Sequence, residues 1–331
     1  MDLSRDGQSM AIDSIALPLE HDGSGTLGCF LELQTPYSGS WHTVALTCWH
    51  VVVPPFSGLS PEDKKSSVTD DADVNRLLNV DHPTQRAYRE QVTTMEEAIK
   101  TYEQRSSYKL FRQLEDEGML EKLSSQTLES YAKSKSDQAK RKEDLQALRD
   151  RFKNGFQLLG KVPVASGFKY KNCGLKEDGK DCYTSLDWAL FDSTHPLATK
   201  FATLSILQSL ELHGEKVRMH GYRSMKTIGT YSGLRCANIE TEITDGAVTT
   251  RPTREYSVAS HGEQPFSATG DSGGMIGYPV TPEEGKESSI IGMVIAGFLK
   301  EGITISTRSD ILLADIKEVT KAKNIKLWSP P

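Results

Sequence analysis

Apolar residues in this chain follow two different spacings, and the switch between them is what most restricts the fold. Outside a central stretch they come as short runs parted by glycine-rich turns, the pattern of strands. Runs at Ile12 to Leu17, Thr26 to Leu33, Thr43 to Cys48, Leu159 to Ala165 and Ser185 to Phe191 make one set. Lys216 to Gly221, Gly229 to Glu240, Glu255 to Ala259, Gly274 to Tyr278, Ser289 to Phe298 and Gly302 to Ser306 make a second. Many short strands in two sets favour two packed antiparallel barrels with a cleft between them. The segment from Ala198 to His213 would link them.

The central stretch follows helical spacing. Pro54 to Asp73 is rich in Pro, Ser, Asp and Lys and predicts a loop. Tyr88, Val92, Met95, Ile99 and Tyr102 then form a heptad stripe, and Glu117-Gly118 offers a break. A second helix follows from about Met119 to Leu159, with Leu145, Leu148, Phe152, Phe156 and Leu159 as its apolar positions. Two helices around one turn predict an antiparallel hairpin inserted into a strand protein. Lys133, Lys135, Lys140, Arg141 and Lys142 interrupt the second stripe. The hairpin is therefore open to three readings: packing on itself and the barrel, binding a protein partner or a second copy, or gating the cleft.

Gly270-Asp271-Ser272-Gly273-Gly274 places a serine in a turn. A serine hydroxyl needs a histidine to accept its proton and a carboxylate to orient the imidazole. His50 follows the apolar run Leu46-Thr47-Cys48-Trp49, as at the end of a buried strand, and Asp187 lies amid Leu186, Trp188, Ala189 and Leu190, where a carboxylate needs a partner. Gly270-x-Ser272-x-Gly274 also satisfies the α/β-hydrolase elbow, whose histidine follows the serine. The histidines stand at 21, 42, 50, 82, 195, 213, 220 and 261, all before Ser272, so that order is excluded.

The order His50, Asp187, Ser272 and the segments Leu46 to Val52, Leu186 to Phe191 and Gly270 to Gly274 resemble the chymotrypsin/trypsin superfamily of serine proteases. Gly292 to Gly297, Gly302 to Ser306 and a final helix with apolar Leu312, Leu313, Ile316 and Val319 resemble later segments of that family, with Ser309 or Asp310 able to cap the helix. Gly23-Ser24-Gly25-Thr26 looks more like the HtrA-type and bacterial branches. The resemblance implies a mostly β protein of two antiparallel six-stranded β-barrels with the helical hairpin inserted and a C-terminal helix. Residues 1–56 and 158–197 would form the first barrel, 57–157 the loop and hairpin, and 198–331 the second barrel and final helix.

The same resemblance implies catalytic His50, Asp187 and Ser272 in an endopeptidase acting through an acyl-enzyme, and an oxyanion hole around Gly270, Asp271 and Ser272. It implies a substrate pocket walled by Phe266, Ser267 and Ala268 on one side and Ile295, Ala296 and Gly297 on the other. Phe266 stands where trypsin-like enzymes carry an aspartate, so cleavage after Lys or Arg is disfavoured. In trypsin-like relatives the residue matching Asp271 pairs with a new N-terminal amine, and no activation site is evident in this sequence; Asp271 is therefore satisfied internally or the oxyanion loop awaits a trigger. The chemistry needs no metal and no organic cofactor. The alternative is a latent or inactive protease-like module that binds a partner through the hairpin.

Composition narrows the setting. A net charge of -6 argues against a nucleic-acid partner. The first residues lack the basic start and apolar core of a signal peptide, and no apolar run suits a membrane span, so the chain reads as soluble and cytoplasmic. Five cysteines, at 29, 48, 173, 182 and 236, lack a disulfide framework and read as thiols, with Cys173 and Cys182 near enough in sequence to pair or share a metal.

Overall fold

The structure is a computed structural model, and it describes residues 14–15, 25–53, 68–69, 79–81, 84–155, 158–177, 179–192, 205–206, 212–244, 247–262, 264–278 and 289–328. Most of the expected loop after Val53, Phe156, and most of the expected link before His213 lie outside the described residues. The chain divides into two compact units, Met1–His82 with Leu159–Pro331, and Pro83–Leu158. Among the described residues, no helix is long and apolar enough to cross a membrane.

In the larger unit the strands before the helices are β1 (Ser14–Ile15), β2 (Gly25–Thr26), β3 (Cys29–Gln34), β4 (Trp41–Thr47), β5 (Val68–Thr69) and β6 (Asn79–Asp81), with a short helix α1 (Trp49–Val52) after β4. After them come β7 (Leu158–Lys161), β8 (Val164–Ala165), β9 (Lys169–Glu177), β10 (Lys180–Leu186), β11 (Ala189–Asp192) and β12 (Ser205–Ile206). The chain continues through β13 (Lys216–Gly221), β14 (Met225–Thr244), β15 (Ala247–Ser260), β16 (Met275–Tyr278), β17 (Ser289–Phe298), β18 (Ile303–Arg308) and β19 (Ile325–Leu327).

Two sheets result. The first has the order β19-β3-β4-β11-β8-β5, with every pair antiparallel. Among the described residues these pairings form a path and not a ring, so closure is seen only in the second sheet. There β13, β14, β15, β18, β17 and β16 pair in sequence and β16 returns to β13, closing a six-stranded barrel. Two parallel pairs extend it, β12 on β17 and β10 on β15, and β9 pairs antiparallel with β10.

Each sheet has its own core. Phe30, Leu31, Leu46, Trp49, Trp188 and Phe191 are buried in the first; Val217, Met219, Val258, Phe266 and Ile276 fill the second. The expected final helix is α5 (Ser309–Thr320), which follows α1 and the three helices of the smaller unit in the chain and lays Leu312 and Ile316 on the first core. Neither Ser309 nor Asp310 is its N-cap: Arg308 holds that place without a side-chain bond, Ser309 Oγ donates to Ile290 O, and Asp310 accepts from its neighbour Ile311 N. Nor does the chain end on that helix, because β19 follows and returns to β3 at the edge of the first sheet.

The smaller unit holds α2 (Gln85–Gln104), α3 (Ser106–Asp116) and α4 (Ser125–Lys153). Thr84 caps α2 by accepting from Ala87 N, and Ser124 caps α4 by accepting from Thr127 N. The first expected helix is thus two, broken at Arg105, and the second ends at Lys153 and does not reach Leu159, which belongs to β7. The interrupted stripe has a physical account. Tyr88 stacks on Phe152 at 3.8 Å between centroids, while midway along the pair buried Gln138 donates to Glu103, as does Lys142, and Tyr131 and Lys135 both donate to Glu115. Exposed Lys135 and Lys142, flanking the buried Tyr131 and Gln138, are answered by carboxylates on the facing helices, which fixes register more than it adds stability.

Candidate active site

The register of the first sheet explains why His50 and Asp187 meet. Strand β11 pairs with β4 so that Ala189 faces Thr47, and two residues further along Asp187 comes level with Trp49. Trp49 N donates to Asp187 O at 3.2 Å, His50 N donates to Asp187 Oδ1 at 2.9 Å, and His50 Nδ1 is hydrogen-bonded to Asp187 Oδ2. His50 stands in α1 and not on a strand, because the chain turns into that helix after Cys48. Asp187 occupies the break between β10 and β11. The neighbouring indole is fixed from two sides: Trp188 N donates to Ser166 Oγ and Trp188 Nε1 to Asp315 Oδ2, both at 2.9 Å.

Burial pulls the pKa of His50 down, but the charge of Asp187 and its hydrogen bond outweigh that and leave the imidazole more basic than usual. A raised histidine beside a buried carboxylate is a base oriented through one nitrogen with the other left to act.

The Ser272 turn is fastened to β2, which is in turn bonded to Thr47 at the end of β4. Thr26 N donates to Ser272 O at 2.8 Å, Thr26 Oγ1 to Gly270 O at 3.1 Å, and Thr47 Oγ1 to Thr26 O at 3.0 Å. Gly273 N and Cys48 Sγ both donate to Val294 O, at 2.9 and 3.1 Å, so one carbonyl of β17 joins the histidine segment to the serine turn. Gly273 has to be glycine: its φ is +93°, and a Cβ would lie 2.3 Å from Thr26 O and 2.6 Å from Thr47 Oγ1. Gly270 has φ +103°, also open to glycine but not to side-chain residues. Ser272 is partly exposed, and its hydroxyl makes no hydrogen bond among the described residues.

Within the turn, Asp271, Gly273 and Gly274 spend their N–H groups on Ala268, Val294 and Asp271 carbonyls. The N–H groups of Gly270 and Ser272 have no backbone acceptor among the described residues, so the two expected oxyanion donors are uncommitted. Asp271 is fully buried. Its Oδ1 accepts from Arg223 N at 2.8 Å and Ser224 N at 3.3 Å, and its Oδ2 accepts from Ala268 N at 2.7 Å. Three backbone donors occupy the carboxylate, and the bare backbone of Gly221 packs against it, since a Cβ there would stand 2.3 Å from Oδ1.

The residues expected to wall a substrate pocket divide. Phe266 is wholly buried in the core of the second barrel, its amide donating to Ser260 Oγ and its carbonyl accepting from Thr227 Oγ1. Ser267 is also buried and shares a 2.6 Å hydroxyl contact with Thr304. Ala268 serves Asp271. Ile295 leans on the first core, and Ala296 and Gly297 are exposed; a Cβ on Gly297 would be 3.3 Å from Ser267 Oγ. Ser267 and Gly297 thus come together from the two expected walls.

Cys48 Sγ, a ring nitrogen of His50 and a carboxylate oxygen of Asp187 all lie within 4.8 Å of one another, the one such donor group among the described residues. Their chemistry does not suit a metal. The histidine and aspartate are already joined by a proton, and burial, with the Asp187 charge next, pushes the Cys48 thiol well above its ordinary value. Sequence reasoning did not single out Thr26, Cys48, Ser166 or Val294 as site residues. Carbonyl acceptors and short hydroxyl donors leave no signature in a sequence.

No protein-family model and no curated protein matches this chain. Among solved structures, it is similar to Thermobifida fusca protease A, at 12% identity over 96% of each chain with a TM-score of 0.37. It is similar to Nocardiopsis protease at 11% identity over 96% of each chain with a TM-score of 0.38. It is also similar to Cellulomonas bogoriensis chymotrypsin at 13% identity over 51% of this chain and 80% of that one, with a TM-score of 0.26. At such values these likenesses leave the chemistry to be read from the side chains themselves.

Proposed function

We propose that this chain is a serine endopeptidase in which Ser272 attacks a peptide carbonyl, His50 takes the hydroxyl proton and returns it to the leaving amine, and Asp187 orients the imidazole. The observation that carries the reading is the double hydrogen bond of Asp187 to His50, made beside a glycine-flanked Ser272 turn tied to the same strand end. The free N–H groups of Gly270 and Ser272 would receive the developing oxyanion. Loss of one such donor costs on the order of 10²–10³ in rate. Internal pairing of Asp271 supports a turn that is ordered without a cut N-terminus.

We read the substrate as a protein or peptide, and the expected fold as two barrels with the second sheet closed. Neither an acid nor a strong base lies among Phe266, Ser267, Ala268, Ile295, Ala296 and Gly297, which disfavours Lys and Arg at the cleavage site. The five unpaired thiols support a cytoplasmic setting. A second reading, a latent protease-like module, is favoured by the Ser272 hydroxyl lacking a hydrogen bond to the described residues, although catalytic bonds often tighten only with substrate bound.

A fluorophosphonate probe separates the two. The enzyme reading expects labelling of wild type that disappears in Ser272→Ala and in His50→Ala. Absence of labelling in a folded wild type leaves the latent module. Replacing residues 83–156 by a short linker, followed by labelling and sedimentation, tests whether the hairpin regulates activity or association.

A further inference from the structure

Two cysteines that the proposed chemistry leaves unused come together at a bulge within the β9–β10 hairpin. The register pairs Asn172 with Tyr183 and Lys176 with Asp181, so Cys173 and Cys182 both lie in the bulge between those pairs, each next to the Asn172–Tyr183 pair. Asn172 and Tyr183 are exposed, whereas Cys182 is buried and Cys173 half-buried, so the two cysteines share the opposite, inner face. Cys173 Sγ already lies 3.1 Å from the Cys182 carbonyl. That contact places the Cys173 sulfur against the Cys182 backbone, and a disulfide tolerates Cα separations of ~4.4–6.8 Å. The register also shifts here, between Asp181 and Tyr183, and Gly174 follows at φ +75° with its N–H held by Asn172 Oδ1, so β9 has slack at this point.

We infer that Cys173 and Cys182 form a reversible disulfide site, oxidised by a small-molecule disulfide such as oxidised glutathione. Cys173, the more exposed, attacks as thiolate on one sulfur and expels the first glutathione thiolate. Cys182 then attacks the Cys173 sulfur of the mixed disulfide and expels the second. Two protein thiols are oxidised, one disulfide is reduced to two thiols, and the protons pass to the departing thiolates. Other pairings are closed by geometry. Cys236 lies on β14, with β15 between it and β10, roughly 9–10 Å away across two strand spacings; Cys29 and Cys48 are buried in the first core. The site lies on the strand that ends one residue before Asp187, with Thr184 and Ser185 clamped on buried Glu255.

The test uses the folded full chain with oxidised glutathione, in buffer and in denaturing urea, followed by non-reducing peptide mapping. We expect a peptide joining residues 173 and 182, formed at least about tenfold faster in buffer because folding raises the effective concentration of the second thiol. Dithiothreitol should reverse it, Cys236→Ser should leave it unchanged, and Cys182→Ser should stop at a glutathione adduct on Cys173. A stable adduct on Cys173 of the wild type, a link to Cys236, or equal rates in buffer and urea would each overturn the inference.

Discussion

Asp271→Asn tests the latch under the Ser272 turn. The wild-type carboxylate is fully buried and accepts from three backbone N–H groups. Hydrogen bonds to a charged acceptor are worth ~1.5–3 kcal/mol against ~0.5–1.5 for a neutral one, so neutralising it costs about 1 kcal/mol per donor. The asparagine NH2 must then face at least one of those N–H groups, donor against donor, which adds ~1–3 kcal/mol. Relief of burying a charge offsets part of this, leaving roughly 3–5 kcal/mol out of a typical total of ~5–15. Urea unfolding reads that loss directly. The local effect is read by fluorophosphonate labelling under conditions where the variant is still folded: displacement of Ala268 or Arg223 shifts Gly270, and labelling falls on the order of 10²-fold or more. A variant with the wild-type unfolding midpoint and labelling rate would refute the account of Asp271 as the residue that sets the turn.

Further outcomes follow from neighbouring contacts. Gly221→Ala places a Cβ 2.3 Å from Asp271 Oδ1, so it should reproduce the labelling loss of Asp271→Asn; wild-type labelling in a folded variant would contradict the packing. Because His50 is more basic than its ordinary 6.5 and must be neutral to accept a proton, the acid limb of the labelling profile should lie above pH 6.5. In Asp187→Asn that limb should move to lower pH and the limiting rate should drop about 10⁴-fold. The same shift predicts that the contribution of the His50–Asp187 pair to stability is fully present below pH ~6.5 and fades as pH rises through the raised folded value, visible as a falling urea midpoint that Asp187→Asn lacks. Asp315→Leu removes the carboxylate that holds Trp188 Nε1, Lys169 and Lys171, and should cost about 2–4 kcal/mol in urea unfolding.

Sequence alone determined what rests on local spacing and residue order. The Gly270 to Gly274 turn was legible because positive φ demands glycine, and the α/β-hydrolase order was excluded because every histidine precedes Ser272. Strand and helix regions followed from apolar period, since burial on one face imposes it. Tertiary structure decided whatever depends on register and on backbone acceptors. The antiparallel pairing of β4 with β11 brings Asp187 level with Trp49 and so within hydrogen-bond reach of His50, across 137 residues of sequence, a contact that no spacing rule supplies. Asp271 is answered by amides of Arg223, Ser224 and Ala268, and any residue types could have donated them. Phe266, read from sequence as a pocket wall, is wholly buried in the second core, because apolarity states that a ring will be buried and not in which cavity. Lys135 and Lys142, read from sequence as interruptions of the stripe, are exposed and pair with Glu115 and Glu103 on the facing helices. Chain order and glycine thus singled out Ser272, while long-range hydrogen bonding determined what holds its turn.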